Sequence, residues 1–228
     1  MGVLTNQLLQ LSNSSLKDFT KKLVPDTKYD ILGISVPTLK KIAKDLSKNN
    51  ILSNTFLEEN HAYYEEYFIH GLLLGYKYKT FNELTFHLDK FLPYLDNWAI
   101  CDSVAPTLKC FSNIQNTEYN YILSLLNSYL PYSIRLGVVL LKIFYLGKNF
   151  NKKIIFELLK INSNNYYVNM AIAWLLCEAL IKNYNETIIF LENKSFSTFI
   201  HNKAIQKALE SFRVDLDKKL YLRSLKCS

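Results

Sequence analysis

Four residues of this sequence have side chains that could act together on a charged, sugar-containing substrate. Trp98 and Asp102 are four residues apart, so a helix at this position would project the ring and the carboxylate from one face. Trp174 lies in a second apolar stretch, and Arg135, one of only three arginines, lies between the two tryptophans. Two aromatic faces, an acid and a guanidinium are the groups needed to hold a phosphodiester strand and to stabilise a cation on its sugar.

Each of these residues also has a purely structural interpretation. A tryptophan in an apolar helix is usually a core residue whose indole N–H has found an acceptor. Asp102 could be a solvated or capping carboxylate, and Arg135 could belong to a surface ion pair of little energetic weight. The residue types alone leave both interpretations open.

The segments that carry these residues read as helices. The stretch around Arg135 is apolar nearly all round, with Lys142 two turns further on the same stripe. This pattern predicts a helix that presents both cations to a ligand. Lys109 is seven residues beyond Asp102 and is predicted to lie on roughly the same side, although Pro106 should end that helix early.

Short connections between helical segments predict an all-α fold. Six glycines and five prolines are too few for a protein of many strands and tight turns. Pairs of helices return at about 35 to 40 residues, which is near the spacing of HEAT-type repeats. We therefore expect one domain over residues 1–228, a solenoid of antiparallel helix pairs with a concave inner face. Residues 25–35 are expected to form an irregular connector, and the later helices are expected at 61–78, 80–95, 97–111, 117–130, 132–146, 151–161, 166–183, 186–193, 197–212 and 214–226.

Charge and cysteine usage restrict the partners and the compartment. A formal net charge of +7 favours a polyanionic partner, although the abundance of Lys, Asn, Ile and Tyr also fits an AT-rich genome. The cysteines show no CxxC spacing and the histidines no ligand spacing, so reduced thiols and no metal site are predicted. The apolar runs are too short to span a membrane and no signal peptide is apparent. We expect a cytoplasmic protein.

Five segments, in order along the chain, resemble one known family. The segments are 32–37, 98–107, 134–141, 167–176 and 202–208, beginning with Leu-Gly-Ile-Ser-Val-Pro and Trp-Ala-Ile-Cys-Asp-Ser-Val-Ala-Pro-Thr. They are similar to segments of the DNA alkylation repair enzymes of the AlkD-like HEAT-repeat superfamily. The segment 23–30 departs from that pattern, because it does not look like the full second N-terminal helix with which active members close around DNA.

The resemblance implies a reaction and a role for each of the four residues. Trp98 and Trp174 would pack on the deoxyribose of the damaged nucleotide, Asp102 would be the catalytic carboxylate, and Arg135 would hold the DNA backbone. The implied reaction is hydrolysis of the N-glycosidic bond of a cationic alkylpurine, such as N3-methyladenine or N7-methylguanine, in double-stranded DNA without base flipping. It requires no metal or organic cofactor. We expect a monomer that binds DNA on its concave face, with further DNA contacts from Lys109, Lys142, Lys203 and Lys207.

Two other functions stay open at this stage. The first is a non-catalytic DNA-binding solenoid of the same superfamily, suited to branched or distorted DNA. The second is a HEAT scaffold for protein interactions, in which both tryptophans are core residues and are almost completely buried.

Overall fold

The computed structural model describes residue 2 and residues 4–227, and it divides into two compact units, residues 1–110 and 111–228. Fourteen α-helices and four 3₁₀ turns are the regular elements of this described part of the chain. Its β-structure is limited to an isolated bridge between Asp30 and Tyr63. The predicted all-α fold class is confirmed.

The first unit contains seven helices. Helix α5 is its centre, because α3 and α7 pack along it, and α4 and α6 also contact it. Its core side chains Phe56, Phe68, Leu72 and Phe91 are at most 1 % exposed. The helices are α1 (Thr5–Gln10), α2 (Ser14–Leu23), α3 (Val36–Leu46), α4 (Asn50–Glu58), α5 (Tyr64–Lys77), α6 (Phe81–Phe91) and α7 (Trp98–Val104).

Local sequence signals set the ends of these helices. The Ser35 side chain accepts a hydrogen bond from the Thr38 N–H at 3.4 Å, and Pro37 stands in the first turn of α3. Helix α7 ends at Val104, and Pro106 lies in the 3₁₀ turn that follows, as predicted. Lys109 belongs to a later 3₁₀ turn, so the expectation that it shares a helix face with Asp102 is wrong.

The connector between α2 and α3 is fixed by a buried carboxylate. Glu65 is fully buried and accepts hydrogen bonds from the backbone N–H groups of residues 32, 33 and 34, at 3.0, 2.8 and 3.3 Å. Glu66 is also buried and accepts from the Thr5 hydroxyl at 2.7 Å and from two backbone N–H groups before α5. Two adjacent acids near the start of a helix are often a solvated face, but here both are buried acceptors for backbone and hydroxyl donors.

The second unit has the arrangement of stacked helix pairs. Helices α9, α11 and α13 lie side by side, while α8 packs on α9 and α12 on α11. This contact of every second helix is what a HEAT-like solenoid requires, and it confirms that part of the prediction. The helices are α8 (Asn116–Leu126), α9 (Pro131–Phe144), α10 (Lys153–Leu159), α11 (Tyr166–Lys182), α12 (Tyr184–Glu192), α13 (Thr198–Glu210) and α14 (Leu216–Ser224).

The predicted helical segments agree with these helices to within a few residues in most cases. The irregular connector at 25–35 is confirmed, and its apolar residues Ile31, Leu32 and Ile34 are buried. The N-terminal segment carries two helices, α1 and α2, the second of which ends at Leu23. None of the helices described is long and apolar enough to cross a bilayer. The single domain and the concave face stay predictions.

Candidate nucleic-acid interface

The first two candidate residues stand on α7. The side chain of Asn97, itself buried, accepts a hydrogen bond from the Ile100 N–H at 3.0 Å and so starts the helix at Trp98. One turn later comes Asp102, which is half-buried. The short helix therefore sets the spacing and the common direction of the ring and the carboxylate.

Trp98 and Asp102 line one cavity, as their spacing predicts. The cavity has a volume of about 380 Å³ and lies between α7, α2 and the start of α3. Most of its lining is apolar, with Phe19 and Leu23 from α2 and Tyr64 from α5. A carboxylate beside an aromatic wall suits a cationic sugar, because both groups favour positive charge.

The indole of Trp98 is oriented by a backbone acceptor. Its Nε1–H donates to the carbonyl oxygen of Leu23 at 2.9 Å, at the end of α2. Like Trp174 in the second unit, Trp98 is only half-buried. The near-complete burial expected for a scaffold with two core tryptophans is therefore not found.

In the second unit, a lysine covers the other tryptophan. The Nζ atom of Lys142, on α9, lies 2.6 Å from the centroid of the Trp174 ring on α11. The sequence stripe that carries Lys142 thus faces a neighbouring helix, and its ammonium group makes a cation–π contact. This contact places positive charge on one face of the ring that was predicted to pack on a sugar.

Arg135 differs from the sequence expectation in its exposure. Its side chain was predicted to be presented outward, but Arg135 is only 5 % exposed. Its Nη1 donates to the carbonyl oxygen of Tyr167 at 2.6 Å, near the start of α11. The reason for the difference is that α9 packs against α11, so this stripe meets a helix before it meets solvent.

Next to Trp174, the structure adds an ion pair that the sequence analysis missed. Arg213 binds both carboxylate oxygens of Glu178, with Nη1 3.0 Å from Oε2. Burial raises the pKa of Glu178, but the hydrogen bonds and the charge of Arg213 outweigh it, and the pKa is lowered. The two residues are 35 positions apart, so the ion pair could not be inferred from spacing. The only hint in the sequence was that arginine is rare in it.

The predicted lysines are not equivalent. Lys207 lines a shallow cavity of about 240 Å³ together with Trp174 and Arg213. The ammonium group of Lys203 instead donates to Gln206 at 3.0 Å on its own helix. Lys109 is exposed in the first unit. Each unit therefore brings a tryptophan together with an ionised group: Asp102 in the first, and Lys142 and Lys207 in the second.

Two histidines that the sequence analysis set aside are in contact. His61 Nε2 and His70 Nδ1 are 2.8 Å apart, and both rings line a cavity of about 200 Å³ in the first unit. Burial lowers the pKa of both imidazoles, that of His70 to about 3. Among the described residues, no group of three or more His, Cys, Asp or Glu side chains could hold a metal ion.

The comparison with known families concerns almost the whole chain. The model of the DNA alkylation repair enzyme family matches residues 4–210. The chain belongs to this family. No curated protein matches it.

Membership in the DNA alkylation repair enzyme family confirms the resemblance drawn from the five segments. The matched range contains both tryptophans, Asp102, Arg135 and all four predicted lysines, and it ends with α13. It implies a DNA substrate and supports an enzyme of DNA repair. It names neither the bond that is cleaved nor the lesion, so the roles of individual residues are proposals.

Proposed function

We propose that the protein is a DNA glycosylase that hydrolyses the N-glycosidic bond of cationic alkylpurines, such as N3-methyladenine and N7-methylguanine, in duplex DNA without base flipping. The observation that carries the proposal is the pairing of Trp98 and Asp102 in one cavity of a DNA alkylation repair family member.

Asp102 has the chemistry that such a leaving group needs. A purine that already carries a positive charge leaves as a neutral base, so no general acid is required. Positive charge develops on the sugar as the bond breaks, in an oxocarbenium-like species. An ionised Asp102 would stabilise this charge and orient the attacking water, and groups of this kind contribute on the order of 3 kcal/mol.

The remaining groups bind the substrate. The faces of Trp98 and Trp174 would pack on the deoxyribose and add about 0.5–2 kcal/mol each for its cationic state. Arg135 would take a phosphate, and the contact of its Nη1 with Tyr167 holds the guanidinium plane in one orientation. Lys109, Lys142, Lys203 and Lys207 would contribute affinity that depends on salt but not on sequence.

Base release from methylated duplex DNA tests the proposal. We expect the wild-type protein to release N7-methylguanine and N3-methyladenine faster than they depart spontaneously. Asp102→Asn should lower the rate by about 100-fold or more while DNA binding is kept. The matched control is Asp217→Asn, an exposed acid on α14 with the same change of charge. Absence of release by the wild-type protein would refute the glycosylase, and equal release by Asp102→Asn would refute the role of Asp102.

A non-catalytic DNA-binding protein of the same family is the second candidate. It is favoured by the burial of Arg135 and by the lysine that covers Trp174, because both groups are engaged within the protein. This function requires salt-dependent binding of branched or distorted DNA without base release, and binding unchanged by Asp102→Asn. Failure to bind any DNA at low salt would exclude it.

A further inference from the structure

Asp96 connects the chain that follows α2 to the residue that caps α7. Its carboxylate accepts from the Thr27 hydroxyl, at 3.2 Å to Oδ1 and 3.0 Å to Oδ2, and from the Lys28 N–H at 2.8 Å. Its Oδ1 also accepts from Nδ2 of Asn97 at 2.8 Å. One carboxylate thus holds the chain that follows α2 and orients the residue that caps α7.

The segment 24–28 links the residues that Asp96 holds to the acceptor of the Trp98 indole. It begins directly after Leu23, whose carbonyl oxygen is the acceptor for the Trp98 indole. The segment is short and constrained, because Val24 is buried, Pro25 has a fixed φ, and the Thr27 N–H donates to the Val24 carbonyl at 3.2 Å. A carboxylate fixed at residue 27 therefore restricts where the carbonyl of residue 23 can lie.

The start of α7, which carries Trp98 itself, is also fixed by Asp96. Asn97 uses Nδ2 to bind Asp96 and Oδ1 to accept from the Ile100 N–H, so its side-chain amide has a single orientation. That orientation starts α7 at Trp98 and sets the direction of the helix that carries Asp102. Asp96 thus acts on the donor and on the acceptor of the Trp98 hydrogen bond.

We propose that Asp96 is a positioning residue, which holds the Leu23 carbonyl and the α7 N-terminus so that the Trp98 indole stands at a fixed angle beside Asp102. The orientation itself is a property of the first unit. Its effect on turnover rests on the proposed glycosylase function.

Trp98 fluorescence measures the orientation independently of activity. The chain has two tryptophans, so Trp98 is the only one left in a Trp174→Phe background. In that background, Asp96→Asn and Thr27→Val should shift the emission to longer wavelength and increase quenching by acrylamide, because the indole loses its fixed acceptor. Thr27→Ser, which keeps the hydroxyl, should behave like the parent.

The variants separate positioning from folding. Asp26→Asn is the matched control, since Asp26 is exposed in the same connector and undergoes the same change of charge. Thr27→Val is nearly isosteric and leaves the contact between Asp96 and Asn97 in place, so it decides the question if Asp96→Asn does not fold. Circular dichroism and thermal unfolding establish that each variant is folded.

The kinetics of base release give the second readout, and they are measured in variants that keep Trp174. Asp96→Asn should lower kcat by about tenfold with little change in KM, well within the 10²-fold that a 1 Å misplacement can cost. Unchanged emission and quenching of Trp98 in folded Asp96→Asn and Thr27→Val proteins would overturn the proposal. A fluorescence change in the variants, together with no base release by the wild-type protein, would support the positioning of Trp98 and refute the glycosylase.

Discussion

The Lys142 ammonium nitrogen lies 2.6 Å from the centroid of the Trp174 ring, so the side chain occupies one face of the indole. A sugar and a lysine cannot pack on the same face at once. If the sugar packs on this face in the proposed function, DNA has to draw Lys142 away from the ring. A phosphate is a suitable competitor, because it offers the ammonium group an ionic hydrogen bond in place of a cation–π contact.

Replacement of Lys142 tests this exchange. If Lys142 moves to a phosphate, Lys142→Met should reduce the slope of log affinity for duplex DNA against log salt concentration by about 0.9. The matched control is Lys148→Met, which removes the same charge from an exposed position after α9. The slope is measured by binding titrations at salt concentrations from about 50 to about 200 mM, a range over which phosphate contacts weaken strongly. An equal change of slope in both variants would contradict a specific phosphate contact at Lys142.

Two glycines with positive φ provide a matched test of the connector. Gly33 has φ +85°, and a Cβ there would lie 2.2 Å from the Asn13 carbonyl oxygen and 2.3 Å from the Lys17 backbone nitrogen. Gly147 has φ +77°, and a Cβ there would meet no atom within 4 Å. Gly147→Ala should lower the free energy of unfolding by about 1–2 kcal/mol, the cost of the left-handed conformation. Gly33→Ala should lower it by about 3 kcal/mol or more, because the clash with backbone is added.

Urea denaturation of the two glycine variants measures this difference. A similar loss in both would mean that α2 moves away from residue 33 without cost. In that case the connector would not fix the position of α2 above the cavity.

The contact between His61 and His70 predicts acid sensitivity. The pKa of His70 is about 3 in the folded protein, because of burial and then the neighbouring His61, whereas an unfolded histidine has a pKa of about 6.5. Between these values the unfolded chain binds more protons, so stability falls as the pH falls below about 6.5. Each histidine that stays neutral in the folded state should account for a loss of about 2 kcal/mol between about pH 7 and pH 5.

Unfolding free energies at the two pH values, for wild type and His70→Gln, test this assignment. The substitution should remove most of the His70 share of the pH dependence, whatever its effect at pH 7. His87→Gln is the control, because His87 lines the same cavity but is only half-buried, so it should account for a smaller share of the pH dependence than His70. A pH dependence that is the same in His70→Gln and wild type would show that His70 is not the group responsible.

The sequence predicts features that depend on neighbouring residues. The end of α7 near Pro106 and the shared direction of Trp98 and Asp102 both follow from contacts within about one helical turn, and the structure agrees with both. The family was also predictable, because five segments in order carry more information than any one of them.

Features set by distant contacts could not be read from the sequence. Glu65 is buried because three N–H groups more than 30 residues earlier require an acceptor. Arg135 is buried because α9 packs on α11. Glu178, on α11, is paired with Arg213, which follows α13 in the chain. A charged residue in a helical pattern signals a polar environment, but the pattern does not say whether water or a distant backbone group supplies it.

Helix α2 has no buried residue, although its apolar side chains border the cavity beside Asp102. Little of the free energy of global unfolding is therefore stored in it, and its amides should exchange with deuterium through local opening long before those of α5. We expect such a local opening of α2 to widen the cavity beside Asp102 while the rest of the first unit stays folded.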